Sequence, residues 1–189
     1  MDPAKLTRAG PSASGQRACA HSLAALVTRL PNTPAIVVND IGDVLGINDL
    51  ACELFSEFAI RDNVVRMTFL DPAARWCVDA WRDHARDALG TLRRAYERAP
   101  SNTETSSLVC ELLRLSEPFR TMWMQQDRMA SNRATRVFPH REVGTLVVDE
   151  VVLGSAAEPG TMVLVYVPAP GSVSDESLRI LGSLRASVR

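Results

Sequence analysis

The clearest pattern of apolar and polar positions runs from Asn63 to Arg94, and in it and just past its end Val78, Trp81, Ala85, Ala88, Leu92 and Tyr96 recur at steps of three and four. That spacing predicts a long helix with one apolar stripe. Arg75, Asp79, Arg82, Asp83, Arg86, Asp87, Arg93 and Arg94 fall mostly off the stripe, as a solvated, ion-paired face does, and His84 among them is expected to face water. Asp71-Pro72 predicts where the helix opens, because an Asp carboxylate accepts from free helix N–H groups and Pro suits the first helical position. Just upstream, the run Asn63 to Leu70 places a single cation, Arg66, among mostly apolar residues.

Helical spacing of Leu23, Leu26, Val27 and Leu30 predicts a first helix from His21, ended by Pro31-Asn32-Thr33-Pro34. The β-branched run Ala35–Asn39 predicts a buried strand, Asp40–Asp43 a turn, and Val44–Ile47 the hairpin partner. Asn48 is positioned to cap a helix through Leu50, Ala51, Leu54, Phe55 and Phe58. Beyond Pro100, Ser101-Asn102-Thr103-Glu104 reads as a capping box for a helix burying Leu108, Val109, Leu112 and Leu113. Ser116-Glu117-Pro118 opens another, carrying Phe119, Met122 and Trp123. From Ala134 the pattern turns extended, with strands over Thr135–Phe138, Thr145–Leu153 and Met162–Val167 separated at Gly144 and Gly154–Gly160. An amphipathic helix from Ser174 to about Val188 closes the chain.

Short turns between neighbouring strands argue for an antiparallel sheet. The expected fold is α+β and PAS-like, about five strands with several helices on one face, a common sheet size. Residues 1–22, rich in Ala, Gly, Pro and Ser, are expected to form a flexible arm, and residues 23–189 the folded domain.

The chain's 189 residues suit one domain with a substantial core. A net charge of −1 argues against direct nucleic-acid binding, which needs a basic face. The four cysteines, Cys19, Cys52, Cys77 and Cys110, form no C-x-x-C pair and read as buried thiols. No apolar run is long enough for a membrane span, and no signal-peptide core is present, so the expected compartment is the cytoplasm. The histidines His21, His84 and His140 fit no metal-ligand pattern, and no nucleophile elbow or phosphate loop occurs. Neither catalysis, a metal nor a cofactor is expected.

Several short segments, taken in order, resemble the ligand-binding domain of MmyB-like transcription regulators. They are Leu30–Ala35, Val44-Leu45 through Asn48–Ala51 to Leu54-Phe55, Asn63–Arg66, Phe69–Pro72 with Ala74-Arg75, and Trp81 with Ala85-Arg86. Ser116–Arg120 with Trp123, His140 with Glu142–Gly144, and Tyr166 with Pro170–Ser172 complete the set. The resemblance covers about Leu23 to Leu181. It implies a PAS-like C-terminal domain of actinobacterial regulators in which an Xre-type helix-turn-helix precedes the sensor. It also implies a cavity for a fatty-acid-like or other apolar ligand. The residues ahead of Leu23 are too few for that headpiece, so this chain is expected not to contact DNA by the family's route. Departures fall at Ile47, where Trp is usual, at Gln126–Arg128, at Arg141 and at Glu150, where Tyr is common.

An acyl ligand needs an apolar cavity and one or two fixed donors for its carboxylate. Arg66 and Arg120 are the candidate donors, since a guanidinium fork matches a carboxylate in two hydrogen bonds. Trp81, Phe119, Trp123 and His140 are the candidate wall and polar contacts. Taken singly, each is more readily a structural residue, the arginines in ion pairs and the aromatics in the core; as a set they favour a pocket. The rival expectation is a ligand-free module that pairs with a second copy through the segments Leu23–Leu30 and Leu178–Leu184, or that caps a full-length regulator as an inactive heterodimer.

Overall fold

Ala35–Val38 (β1) is buried at every position and is an interior strand of an antiparallel sheet. Its partners are Val44–Ile47 (β2) and Met162–Val167 (β5), and the sheet continues through Gly144–Gly154 (β4) to Thr135–His140 (β3). The order is β2-β1-β5-β4-β3, so the first hairpin and the last three strands join through β1 and β5. This computed structural model describes residues 21–75, 78–125, 135–154, 156 and 160–186, except the side chains of 78–80, 185 and 186. The expected arm, apart from residues 21 and 22, and the Gln126–Arg128 departure lie outside the described residues, as do Cys19, Cys77 and the side chain of Val78.

Between β2 and β3 come the helices Asp49–Leu54 (α2), Val64–Leu70 (α3), Val78–Arg98 (α4), Thr103–Leu115 (α5) and Glu117–Met124 (α6). Residues 21–27 form α1, and Val173–Ala186 form α7. The fold is therefore α+β with a five-stranded antiparallel sheet.

Alternation divides the sheet into two faces. The inner face, with Ile36, Val38, Phe138, Leu146, Val148, Leu164 and Tyr166, packs against α2, Met67 of α3, and Leu178 and Leu181 of α7. A second core lies in the helical layer, where Val65 and Phe69 of α3 meet Ala85, Leu89 and Leu92 of α4, Leu108 and Leu112 of α5, and Phe119 of α6, with Ile41 of the β1–β2 turn buried against them. Helix α3 thus feeds both cores from opposite sides. On the outer face α1 covers β1, with Val27, Ala35, Val37 and Val163 buried together. That close approach needs Gly46, since a Cβ there would lie 2.6 Å from the Ala24 Cβ.

Short polar side chains set the helix starts. Asn48 Oδ1 accepts from Ala51 N (2.9 Å) and Ala35 N (3.1 Å), while its Nδ2 donates to the carbonyls of Val27, Leu30 and Thr33. Asn63 caps α3 through Val65 N and Arg66 N, and its Nδ2 donates to Ile41 O and to the Asp43 carboxylate. The β1–β2 turn that Asn63 holds takes a positive φ of 89° at Gly42, where Cβ would also press on Val65. Two expected starts shift. The cap of α5 is Asn102, not Ser101, because Asn102 Oδ1 reaches Thr105 N at 3.0 Å. Asp71 opens the short 3-10 turn Pro72–Arg75 rather than α4 directly, accepting from Ala73 N and Ile60 N.

Candidate ligand-binding site

Where the two cores meet, the inner sheet face and the helical layer do not close fully. The cavity between them is lined by Phe55 and Phe58 after α2, Val64, Met67 and Thr68 of α3, Ala73 and Ala74 of the 3-10 turn, Trp81 and His84 of α4, and Arg136–Pro139 and Tyr166 of the sheet. Its volume is about 50 Å³. Small-molecule sites typically measure roughly 300–1,000 Å³, so this one is nearly collapsed as it stands. Its aromatic wall is ordered by edge-to-face packing: Phe55 lies 5.4 Å from Phe138 and 5.5 Å from Tyr166, and Phe138 lies 5.6 Å from Tyr166. Trp81 Nε1 donates to Thr68 O at 2.8 Å, tying α4 to α3 across the other wall.

One end of the cavity is polar. Arg136, 5% exposed, points to the inner face from β3, and register carries Glu150 of β4 and Tyr166 of β5 to the same region. Arg136 Nη2 donates to Glu150 Oε1 at 3.1 Å and to Asp87 Oδ2 of α4 at 2.8 Å; its Nε donates to Glu150 Oε2 at 3.4 Å. The Tyr166 hydroxyl hydrogen-bonds the same Glu150 carboxylate. Burial works against the Arg136 charge, but the Glu150 field and the hydrogen bonds from Glu150 and Asp87 outweigh it, and its pKa is raised. Burial, then the Glu150 charge, push the Tyr166 phenol well above its usual range, so it stays a neutral donor.

His84, expected to face water, is half-buried and lines this cavity. The reason is that α4 has two packed sides. Its leucine stripe meets α5 and α6, and the side carrying His84 and Asp87 meets β3. Burial lowers the His84 pKa below its ordinary 6.5, outweighing the upward pull of Glu150 and Asp87. The unfolded chain therefore binds more protons than the folded one just below pH 6.5, and the stability His84 contributes is complete above that pH and lost on acidification. The midpoint of urea unfolding, followed from neutral pH downward, should fall below about pH 6.5 more steeply for the native protein than for His84→Gln. Equal slopes would refute a buried neutral imidazole.

Of the six residues singled out from the sequence, Trp81 lines the cavity. Arg66 is engaged at the surface, donating from Nε and Nη2 to Glu111 Oε2 at 3.0 and 2.7 Å and from Nη1 to Asp62 at 2.7 Å. It borders a polar groove with Ile41, Asp43 and Thr103. Arg120 is exposed and its Nε donates to Leu113 O. Phe119 and Trp123 stack at 5.3 Å within the helical core, where Arg93 lies over the Trp123 ring. His140 is buried at the end of β3; its Nδ1 accepts from Glu142 N, and its Nε2 has no hydrogen-bond partner among the described residues. Arg136 is not among the residues singled out from the sequence, and His84 reads there as solvent-facing. The one signal for Arg136 is a cation at an inward position of a strand whose other inward residues are Phe138 and His140.

Among the described residues no group of three or more His, Cys, Asp or Glu is placed to hold a metal ion. No helix of the described residues is long and apolar enough to cross a membrane. No curated protein sequence matches the chain. The family model for the MmyB-like transcription regulator ligand binding domain matches residues 20–181, which spans the sheet, the helical layer and the cavity between them, and the chain belongs to that family of regulator ligand-binding domains.

Proposed function

We propose that this chain is a PAS-like, cytoplasmic sensor domain that binds an acyl-chain, fatty-acid-like molecule in the cavity between β3, β5 and helices α3 and α4. The single observation behind this reading is a mostly apolar cavity with one buried polar end, the arrangement that small-molecule sites use to fix orientation. Trp81, Phe55, Phe58, Phe138 and Tyr166 would hold the chain, and Arg136 and His84 would meet its head. The role is binding rather than catalysis.

The small volume gives the mechanism. A ligand enters only if α3 and α4 move away from β3, so it binds an opened arrangement better than the closed one. A ligand that bound both equally would shift neither. Because α4 also packs on α5 and α6, opening would be transmitted through the helical core. A saturating ligand at about a hundred times its Kd should add about 2.7 kcal/mol, and so raise Tm by roughly 5–10 °C. Thermal shift with a panel of acyl-chain compounds, alongside native mass spectrometry of the purified protein, measures this. Ala74→Leu should fill the cavity and abolish the shift while the protein still folds. A flat response across the panel, with no mass carried through purification, would sink the sensor reading.

A second reading rests on the outer sheet face. Val147, Val151, Leu153 and Val167 lie there, each at least 40% exposed. Such an apolar face suits pairing with a second copy. Light scattering on the purified chain should then give twice the monomer mass, and Val151→Lys should return the monomer. A monomer throughout the micromolar range counts against it.

A further inference from the structure

Resting on the sensor reading above, we propose that the cavity selects an acyl-chain ligand with an uncharged polar end, an alcohol or primary amide rather than an ionised acid, and that Glu150 determines this choice. Recognising an acid requires a cation with donors to spare. Arg136 is the one cation in the described lining, and its Nε and Nη2 already form a fork to Glu150 at 3.4 and 3.1 Å, with Asp87 sharing Nη2 at 2.8 Å. The protein's own carboxylate thus occupies the place a ligand carboxylate would take.

Glu150 cannot readily vacate that place. It sits in the interior of β4, paired with Tyr166 across β5, its side chain 9% exposed and hydrogen-bonded by the Tyr166 hydroxyl. A second carboxylate brought to Arg136 would face Glu150 at short range in a poorly solvated site, where like charges repel far more strongly than in water. An uncharged head meets no such penalty. The neutral His84 ring offers one donor and one acceptor, the pair that a hydroxyl or a primary amide needs. Arg75, stacked over Trp81 at 5.4 Å, is exposed, and its charge is screened by water.

The test compares ligands of one chain length that differ only in the head. Dodecanol, dodecanamide and dodecanoate are titrated below their aggregation limits against the full chain at neutral pH, by calorimetry and thermal shift. The alcohol and the amide should bind at least about tenfold more tightly than the acid. Glu150→Gln keeps the shape and removes the negative charge that repels a ligand carboxylate, while Asp87 still pairs with Arg136, so it should raise the affinity for dodecanoate about tenfold or more and leave dodecanol nearly unchanged. Dodecanoate binding the native protein as tightly as dodecanol would overturn the head-group selection and leave the sensor reading intact. An unchanged acid affinity in a folded Glu150→Gln would overturn the role of Glu150. Binding of none of the three, with Ala74→Leu indistinguishable from native, would overturn the sensor reading and this inference together. Should Glu150→Gln not fold, the ranking on the native protein still decides the head-group selection.

Discussion

Arg136→Met should destabilise this domain by about 3–5 kcal/mol, the cost of removing one partner from a buried ion pair. Glu150, 9% exposed, would lose its fork of hydrogen bonds, and Asp87 would lose the 2.8 Å bond that holds α4 against β3. The loss comes from stranding a carboxylate, not from the pair's own value, which is set against a large desolvation cost. The double variant Arg136→Met, Glu150→Leu should therefore recover a good part of it. Urea unfolding of the native, single and double variants checks both statements. A single variant within about 1 kcal/mol of native would show that the pair contributes little, since that is the scale of an exposed ion pair. An Arg136→Met protein no less stable than the double variant would refute the stranded-charge account.

Asn48→Ala should cost on the order of 3–5 kcal/mol, more than an ordinary helix cap, whose loss costs about 1 kcal/mol. The excess follows from its five hydrogen bonds. A side chain 3% exposed accepts from the N–H groups of Ala51 and Ala35 and donates to three carbonyls at the end of α1 and in the turn that follows. It thereby joins α1, β1 and α2 at one point. Asn48→Asp keeps the acceptor but sets a carboxylate among the three carbonyls, so it should be no better tolerated than Ala. Hydrogen exchange should show the loss concentrated at Ala35 and Ala51. A loss near 1 kcal/mol for Asn48→Ala would reduce Asn48 to a plain cap.

How much of this was legible beforehand follows the range of the interactions. Asn48 as a cap, Ser116-Glu117-Pro118 as a helix start and the turns at Gly42 and Gly144 depend on residues within four positions, and each is seen in the structure. Asn102 replaced Ser101 as the cap of α5 because two adjacent capping residues differ only in which reaches Thr105 N. The strands were legible because β-branched runs bounded by turn residues need no partner to declare themselves. The polar end of the cavity was not. Glu150 lies 14 positions from Arg136, and Asp87 lies 49 from it, so no local pattern relates them. His84 read as solvent-facing because a helical wheel assigns one buried side, whereas α4 is packed on two.

By itself, then, the sequence determined the order of elements, the α+β class and the existence of apolar faces that had to be covered, because these rest on local backbone preferences and on periodicity. The tertiary structure alone decided which charges became buried and where. The register of β3 on β4 placed Glu150 beside Arg136, and the packing of α4 on β3 completed the cluster with Asp87 and brought His84 into the cavity. Those choices belong to strand pairing and helix packing, which join residues far apart in the chain.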